Sequence, residues 1–209
     1  MDKIKIITAI IIVLSFLIGI ISYQYFPDKI ASHWDSHGEV NGYMSKFFGI
    51  FLLPFISIII FLLFLLLPKI DPLKKNYVKF KNQYSSFILV ITLFMFYIYL
   101  LTIFWNFGIK INMNLSLIPA IGILFIYIGI MFKKIKRNWF IGIRTAWTIN
   151  NDKVWEKTHR LGSKLFITSG IITIFGIFFP EYLLWFVLAP VIISSIICII
   201  YSYLEYRKE

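Results

Sequence analysis

Six stretches of the chain carry no Asp, Glu, Lys, Arg or His: residues 6–26, 47–67, 84–107, 111–132, 165–179 and 182–204. About 20 apolar residues wound as a helix cross the roughly 30 Å hydrocarbon layer of a bilayer. Lipid offers no partners to backbone N–H and C=O groups, so such stretches must be helices rather than isolated strands, despite their isoleucine content. The pattern therefore predicts an all-α integral membrane protein with six transmembrane helices. The fifth stretch is short, reaching only about 22 Å as a helix. Its helix begins earlier with Lys164 snorkelling toward the headgroups, the bilayer thins around it, or the segment is re-entrant. Pro180-Glu181 leaves room only for a tight turn before the last span, which suits a helical hairpin. Pro54, Pro119 and Pro190 remove helical donors and are expected to bend their helices. Gly122, Gly129, Gly170 and Gly176 are candidates for close helix approach, without a G-x-x-x-G pattern that would mark a dimer face.

Composition agrees with this class. Apolar residues make up 59% of 209 positions and charged residues 15%, against about 45–50% and about 25% in soluble domains. The formal charge of +11 raises nucleic acid as a partner, but its distribution explains it better. Eighteen Lys and Arg fall in the tails and in loops 68–83 and 133–164, and only Lys29, Lys46 and Lys110 fall on the other side. This asymmetry is the positive-inside pattern. It predicts cytoplasmic N and C termini, an inward loop 133–164, an outward loop 27–46 and no direct nucleic-acid binding. The opening MDKIK resembles the start of a signal peptide, yet the apolar run that follows exceeds the usual h-region and lacks a small-residue cleavage site, so a retained span is expected. The single cysteine, Cys198, lies within an apolar run and reads as a buried small side chain.

The outward loop reads FPDKIASHWDSHGEVNGYMSK. His33 and His37 would share a face if this segment were helical, with Asp35 and Glu39 nearby, and such a set can hold zinc. However, the H-E-x-x-H arrangement needs glutamate where Trp34 stands. Gly38 and Asn41-Gly42 also favour turns. Trp34 and Tyr43 are instead expected at headgroup level, with the histidines covering the helices.

The inward loop contains NWFIGIRTAWTINNDKVWEKTHR. Lys133 to Arg137 form a basic collar that anionic lipids would attract. Asn150 or Asn151 can cap a short interfacial helix starting near Asp152 and leading into the fifth span. On it Val154, Trp155, Thr158 and Leu161 share one side, and Glu156–Arg160 form an i,i+4 pair. Trp139, Trp147 and Trp155 read as interface anchors on separate local elements. Arg144, set among Ile and Trp, must find acceptors in headgroup phosphates, helix-end carbonyls or a carboxylate, with Asp71 and Glu156 as candidates. His159 lacks a nucleophile and an orienting acid at fixed spacing, so a structural hydrogen bond is expected of it.

Two groups of residues carry a family resemblance. In front stand Pro27, His33-Trp34, Gly38, Gly42-Tyr43, Lys46 and Pro54, followed by Asp71 and Asn76-Tyr77. Behind stand Arg137-Asn138, Ile141-Gly142-Ile143-Arg144-Thr145, Trp147-Thr148 and Trp155. The chain resembles the SdpI family of bacterial immunity proteins, with a DUF1648-like segment at its front. The resemblance divides it into a DUF1648-like part, residues 1–82, and an SdpI-like part, residues 83–209, holding the motif loop 133–164. Relatives often carry proline where this chain has Ala146. The resemblance implies protection from a secreted toxin peptide. It also implies signalling by recruitment of an ArsR-like winged-helix repressor to the cytoplasmic face of the membrane. It implies no cofactor and no enzyme activity. Two other readings remain open from the residues alone. One is a transporter of small neutral solutes or lipids, although the uncharged spans lack an ion relay. The other is a metal-dependent membrane enzyme using His33, Asp35, His37 and Glu39.

Overall fold

A computed structural model of the protein describes residues 3–209. Seven α-helices appear among them: α1 (Lys3–Ser22), α2 (Lys46–Ile70), α3 (Lys81–Asn106), α4 (Met113–Phe132), α5 (Ala146–Asn150), α6 (Asp152–Phe175) and α7 (Leu183–Tyr206). All but α5 belong to segments long and apolar enough to cross a membrane, six in number. The protein is thus a multi-pass membrane protein. Contacts group the chain into two units, one holding residues up to Phe64 with Ile88–Leu117, the other Leu65–Phe87 with Ile118–Glu209.

In the first unit, α1 is patterned inside out. Thr8, Ile12, Ser15, Gly19 and Ser22, spaced by three and four, are buried. Ile10, Val13, Leu17 and Ile20 are exposed. Lipid tails are as apolar as leucine, so close packing of small residues, not greasiness, draws helices together. The hydroxyls of Thr8, Ser15 and Ser22 donate to carbonyls of their own helix, so their burial leaves no polar group unpaired. At Gly19 a Cβ would meet Phe51 at 2.8 Å and Ile50 at 2.9 Å. Ile50 also joins the core of this unit with Phe26, Ile30, Tyr99 and Ile103.

The loop between α1 and α2 is not helical. It forms an antiparallel hairpin of β1 (Lys29–Trp34) and β2 (Val40–Ser45), with register irregularities beside His33. Asp35 organises its turn, accepting the N–H groups of His37 and Glu39 at 2.8 and 3.0 Å while Gly38 adopts φ +83°. Those N–H groups hold the Asp35 carboxyl below its ordinary range. The hairpin is tied down by two asparagines. Asn106 donates to Ala31 O and accepts from Ala31 N–H, while Asn114 donates to the carbonyls of Asp35 and Ser36.

In the second unit, α4 and α6 approach through glycine. A Cβ on Gly170 would lie 2.4 Å from Gly122 O, and one on Gly122 would lie 2.7 Å from Gly170 O. Pro190 in α7 has no N–H to give Phe186 O one turn earlier. Thr173 of α6 donates to that carbonyl at 3.0 Å, and Ser169 bonds Ser194 Oγ at 2.8 Å. The proline's lost bond is thereby remade between helices, as membrane helices require. The fifth apolar run is the later part of α6, one 24-residue helix from Asp152. A separate short helix beginning at Asp152, as expected from the sequence, is therefore not formed; the added short helix is α5, just before it. Two 3₁₀ turns, Gly176–Phe178 and Pro180–Tyr182, make the tight connection to α7.

Gly170→Leu should drive a side chain into the α4 backbone and cost about 1–3 kcal/mol or more. Thermal melting of purified protein in detergent checks this, and a midpoint equal to the parent's would refute the close crossing. Thr173→Val should cost about 0.6–1.7 kcal/mol by orphaning Phe186 O, read in the same melt.

Candidate functional site

The polar loop between α4 and α6 has almost no regular structure, so side chains must satisfy its backbone. Asn138, fully buried, does most of this. Its Oδ1 accepts the N–H groups of Phe140 and Ile141 at 3.0 and 2.7 Å, and its Nδ2 donates to the carbonyls of Lys136 and Ile141. Asp71, also buried, accepts from Leu73 N–H, Trp139 N–H and the Tyr77 hydroxyl. Asn76 donates to Arg137 O at 2.8 Å. The segment just before α3 is thus stitched to the loop by hydrogen bonds spanning more than sixty positions.

The next turn depends on glycine. Gly142 has φ +113°, and a Cβ there would lie 2.5 Å from His159 Nε2. The close approach lets Ile143 N–H donate to His159 Nε2 at 3.0 Å, while His159 Nδ1 meets Trp155 O at 2.8 Å. A backbone donor on one nitrogen and a carbonyl on the other define the neutral Nδ1–H tautomer. The ring stacks on Trp155 at 4.0 Å, and Trp155 donates its indole N–H to Ile135 O. His159 is therefore a buried brace of the loop, as expected.

Thr145 and Thr148 then form a reciprocal capping box at the start of α5. Thr148 also donates to Ile143 O at 2.8 Å, and Thr145 Oγ1 lies 3.0 Å from Ser202 Oγ on α7. Asn151 caps α6 by accepting Lys153 and Val154 N–H. Arg137 closes the loop, pairing with Asp152 at 2.6 Å and donating to Ile149 O.

Several expectations need adjustment. Arg144 is exposed and donates to Trp139 O at 2.6 Å; among the described residues neither Asp71 nor Glu156 forms an ion pair with it. Asp71 is taken up by backbone and tyrosine, and Glu156 pairs with Arg160 at 3.6 Å. The three tryptophans differ: Trp155 is buried core, Trp147 packs on Tyr203 at 5.1 Å, and Trp139 is exposed. Asp71 and Tyr77 join the segment before α3 to the loop, a link that distance in sequence hid.

In the hairpin, His33 and Trp34 lie on β1 and His37 in the turn, so the shared helical face imagined for the histidines does not exist. His33 Nδ1 donates to Asn41 Oδ1, and the Asp35 carboxylate is occupied by its own turn. No group of three His, Cys, Asp or Glu suited to a metal occurs among the described residues. Trp34 packs edge-on against Trp105, while Tyr43 is exposed. Gly42 sits against the His33 Cβ, and Lys46 donates to Phe26 O and lies 4.6 Å over the Tyr23 ring.

Apolar helices joined by a tied-down hairpin and by one rigid polar loop define a multi-pass membrane protein whose polar chemistry is concentrated in that loop. Residues 134–202 match the model of the SdpI/YfhL protein family, and residues 10–58 match DUF1648, a domain of unknown function. The chain is 31% identical to "Immunity protein SdpI" of Bacillus subtilis (strain 168) over 207 residues, covering 99% of this chain and 97% of the relative. The chain belongs to the SdpI family. Membership in a family that includes an immunity protein is consistent with a non-enzymatic role. No solved structure matches it.

Ala146 is the first residue of α5, and Thr145 before it is extended at φ −109°, ψ 165°. Proline is favoured at the first helical position, and the extended backbone of Thr145 is what a following proline requires. Ala146→Pro should therefore stabilise the protein by about 0.4–1 kcal/mol. A melting point below the parent's would show that the loop differs from this geometry.

Proposed function

We propose that this protein gives immunity to a secreted antimicrobial peptide by binding or sensing it in the membrane. Support comes chiefly from similarity to an immunity protein along nearly the whole chain. The Lys and Arg asymmetry supports an orientation with both termini and the loop 133–164 in the cytoplasm and the hairpin outside. The peptide meets the hairpin and the aromatic-rich helices. The cytoplasmic loop carries the signal, holding an ArsR-like repressor at the membrane when peptide is present. Arg144 supports this division of labour. A guanidinium has five N–H donors, and here one carbonyl takes up a single nitrogen of an exposed side chain.

The chain, expressed in sensitive cells lacking their own immunity protein, should raise survival at least tenfold in toxin-containing supernatant from the strain that encodes it. Correct membrane insertion with no gain in survival would refute the immunity reading. Arg144→Gln should keep that survival but abolish retention of the repressor in the membrane fraction. Equal retention by parent and variant would remove Arg144 from the signalling surface.

A further inference from the structure

The second unit contains a cavity of about 450 Å³ that the immunity reading does not use. Its buried lining is mainly apolar, made by Phe132, Ile135 and Trp155 beside His159. Its rim carries five cationic side chains, Lys79, Lys133, Lys136, Arg137 and Arg160, against two acidic ones, Asp152 and Glu156. The two carboxylates are already engaged by the two arginines, at 2.6 and 3.6 Å. Lys79, Lys133 and Lys136 are exposed, and no carboxylate pairs with them among the described residues. Three lysines without a carboxylate partner among the described residues therefore line one concavity.

Position selects the ligand. Phe132 is the last residue of α4, and Trp155 lies in the first turn of α6. Both helices belong to membrane-spanning segments, so the cavity opens where apolar helix gives way to charged loop. A bilayer places its phosphates at that level, and each basic group near an anionic surface contributes about 1 kcal/mol of attraction. The volume falls in the range of small-molecule sites, about 300–1,000 Å³, large enough for a headgroup. The apolar lining suits the glyceride end of the molecule and the lysine rim its phosphate. We propose that this cavity binds the phosphodiester headgroup of an anionic phospholipid, such as phosphatidylglycerol, as a specific site. The site goes beyond the immunity reading and depends only on the chain residing in a membrane.

The full chain, purified in a mild non-ionic detergent, is melted with added phosphatidylglycerol, with phosphatidylcholine and with inorganic phosphate. Phosphatidylglycerol should raise the melting point by several degrees, and the other two should not. Lys79→Gln/Lys133→Gln/Lys136→Gln should lose most of that shift. A control removing equal charge outside the cavity, Lys69→Gln/Lys74→Gln/Lys75→Gln, should keep it. Native mass spectrometry of the same samples should show one retained phosphatidylglycerol in parent and control, and at least fivefold less in the cavity variant. Equal shifts in the two variants would mean diffuse attraction and overturn the site. An equal response to inorganic phosphate would overturn the lipid assignment. Because no toxin is involved, neither outcome depends on whether the chain confers immunity.

Discussion

Every backbone donor and acceptor shielded from water must find a partner inside the protein, and most of this architecture follows from that requirement. It makes the apolar stretches helical. It explains why Pro190 is met by Thr173 across a helix pair, and why Asn106 brackets both polar groups of Ala31. It also explains the density of Asn, Asp and Thr around the polar loop, where Asn138 alone makes four backbone hydrogen bonds. Among the described residues four buried side-chain atoms have no hydrogen-bond partner: Trp34 Nε1, Tyr99 OH, Thr158 Oγ1 and Ser163 Oγ.

The loop shows how a chain without regular secondary structure becomes rigid. Successive short-range devices, an asparagine turn, a left-handed glycine and a threonine capping box, each specify a few residues. Long-range bonds from Asp71, Asn76 and His159 then set these pieces against helices. The result is a hydrogen-bonded loop with Trp155 buried beneath it and Trp139 and Arg144 exposed. This is the arrangement a recognition surface needs, because little ordering cost remains to be met on binding.

The helical spans were legible because lipid imposes a length and forbids charge, two properties that can be read directly from residue order. The Asn151 cap and the Glu156–Arg160 pair were legible because both are local. The turn signals Gly38 and Asn41-Gly42 were legible in the loop before α2, but the two strands on either side of them were not. The second strand does carry a signal, since Val40, Gly42 and Met44 alternate with the more exposed Asn41, Tyr43 and Ser45. The first strand hides it, with Ile30 and Ala31 both buried. Arg144's partner could not be inferred, because the choice between a carbonyl and two carboxylates depends on where Asp71 is already committed. The cavity was illegible for the same reason: Lys79 and Lys133 are far apart in the chain and come together only through folding.

Cys198 lies buried on α7, and a Cβ at Gly162 of α6 would come within 3.3 Å of its sulfur. The one native thiol of the chain is thereby shielded from aqueous reagents, since accessibility governs thiol reactivity. The protein thus comes with a silent background for chemical labelling: a cysteine introduced at any surface position reports on that position alone, with no native residue to be replaced first.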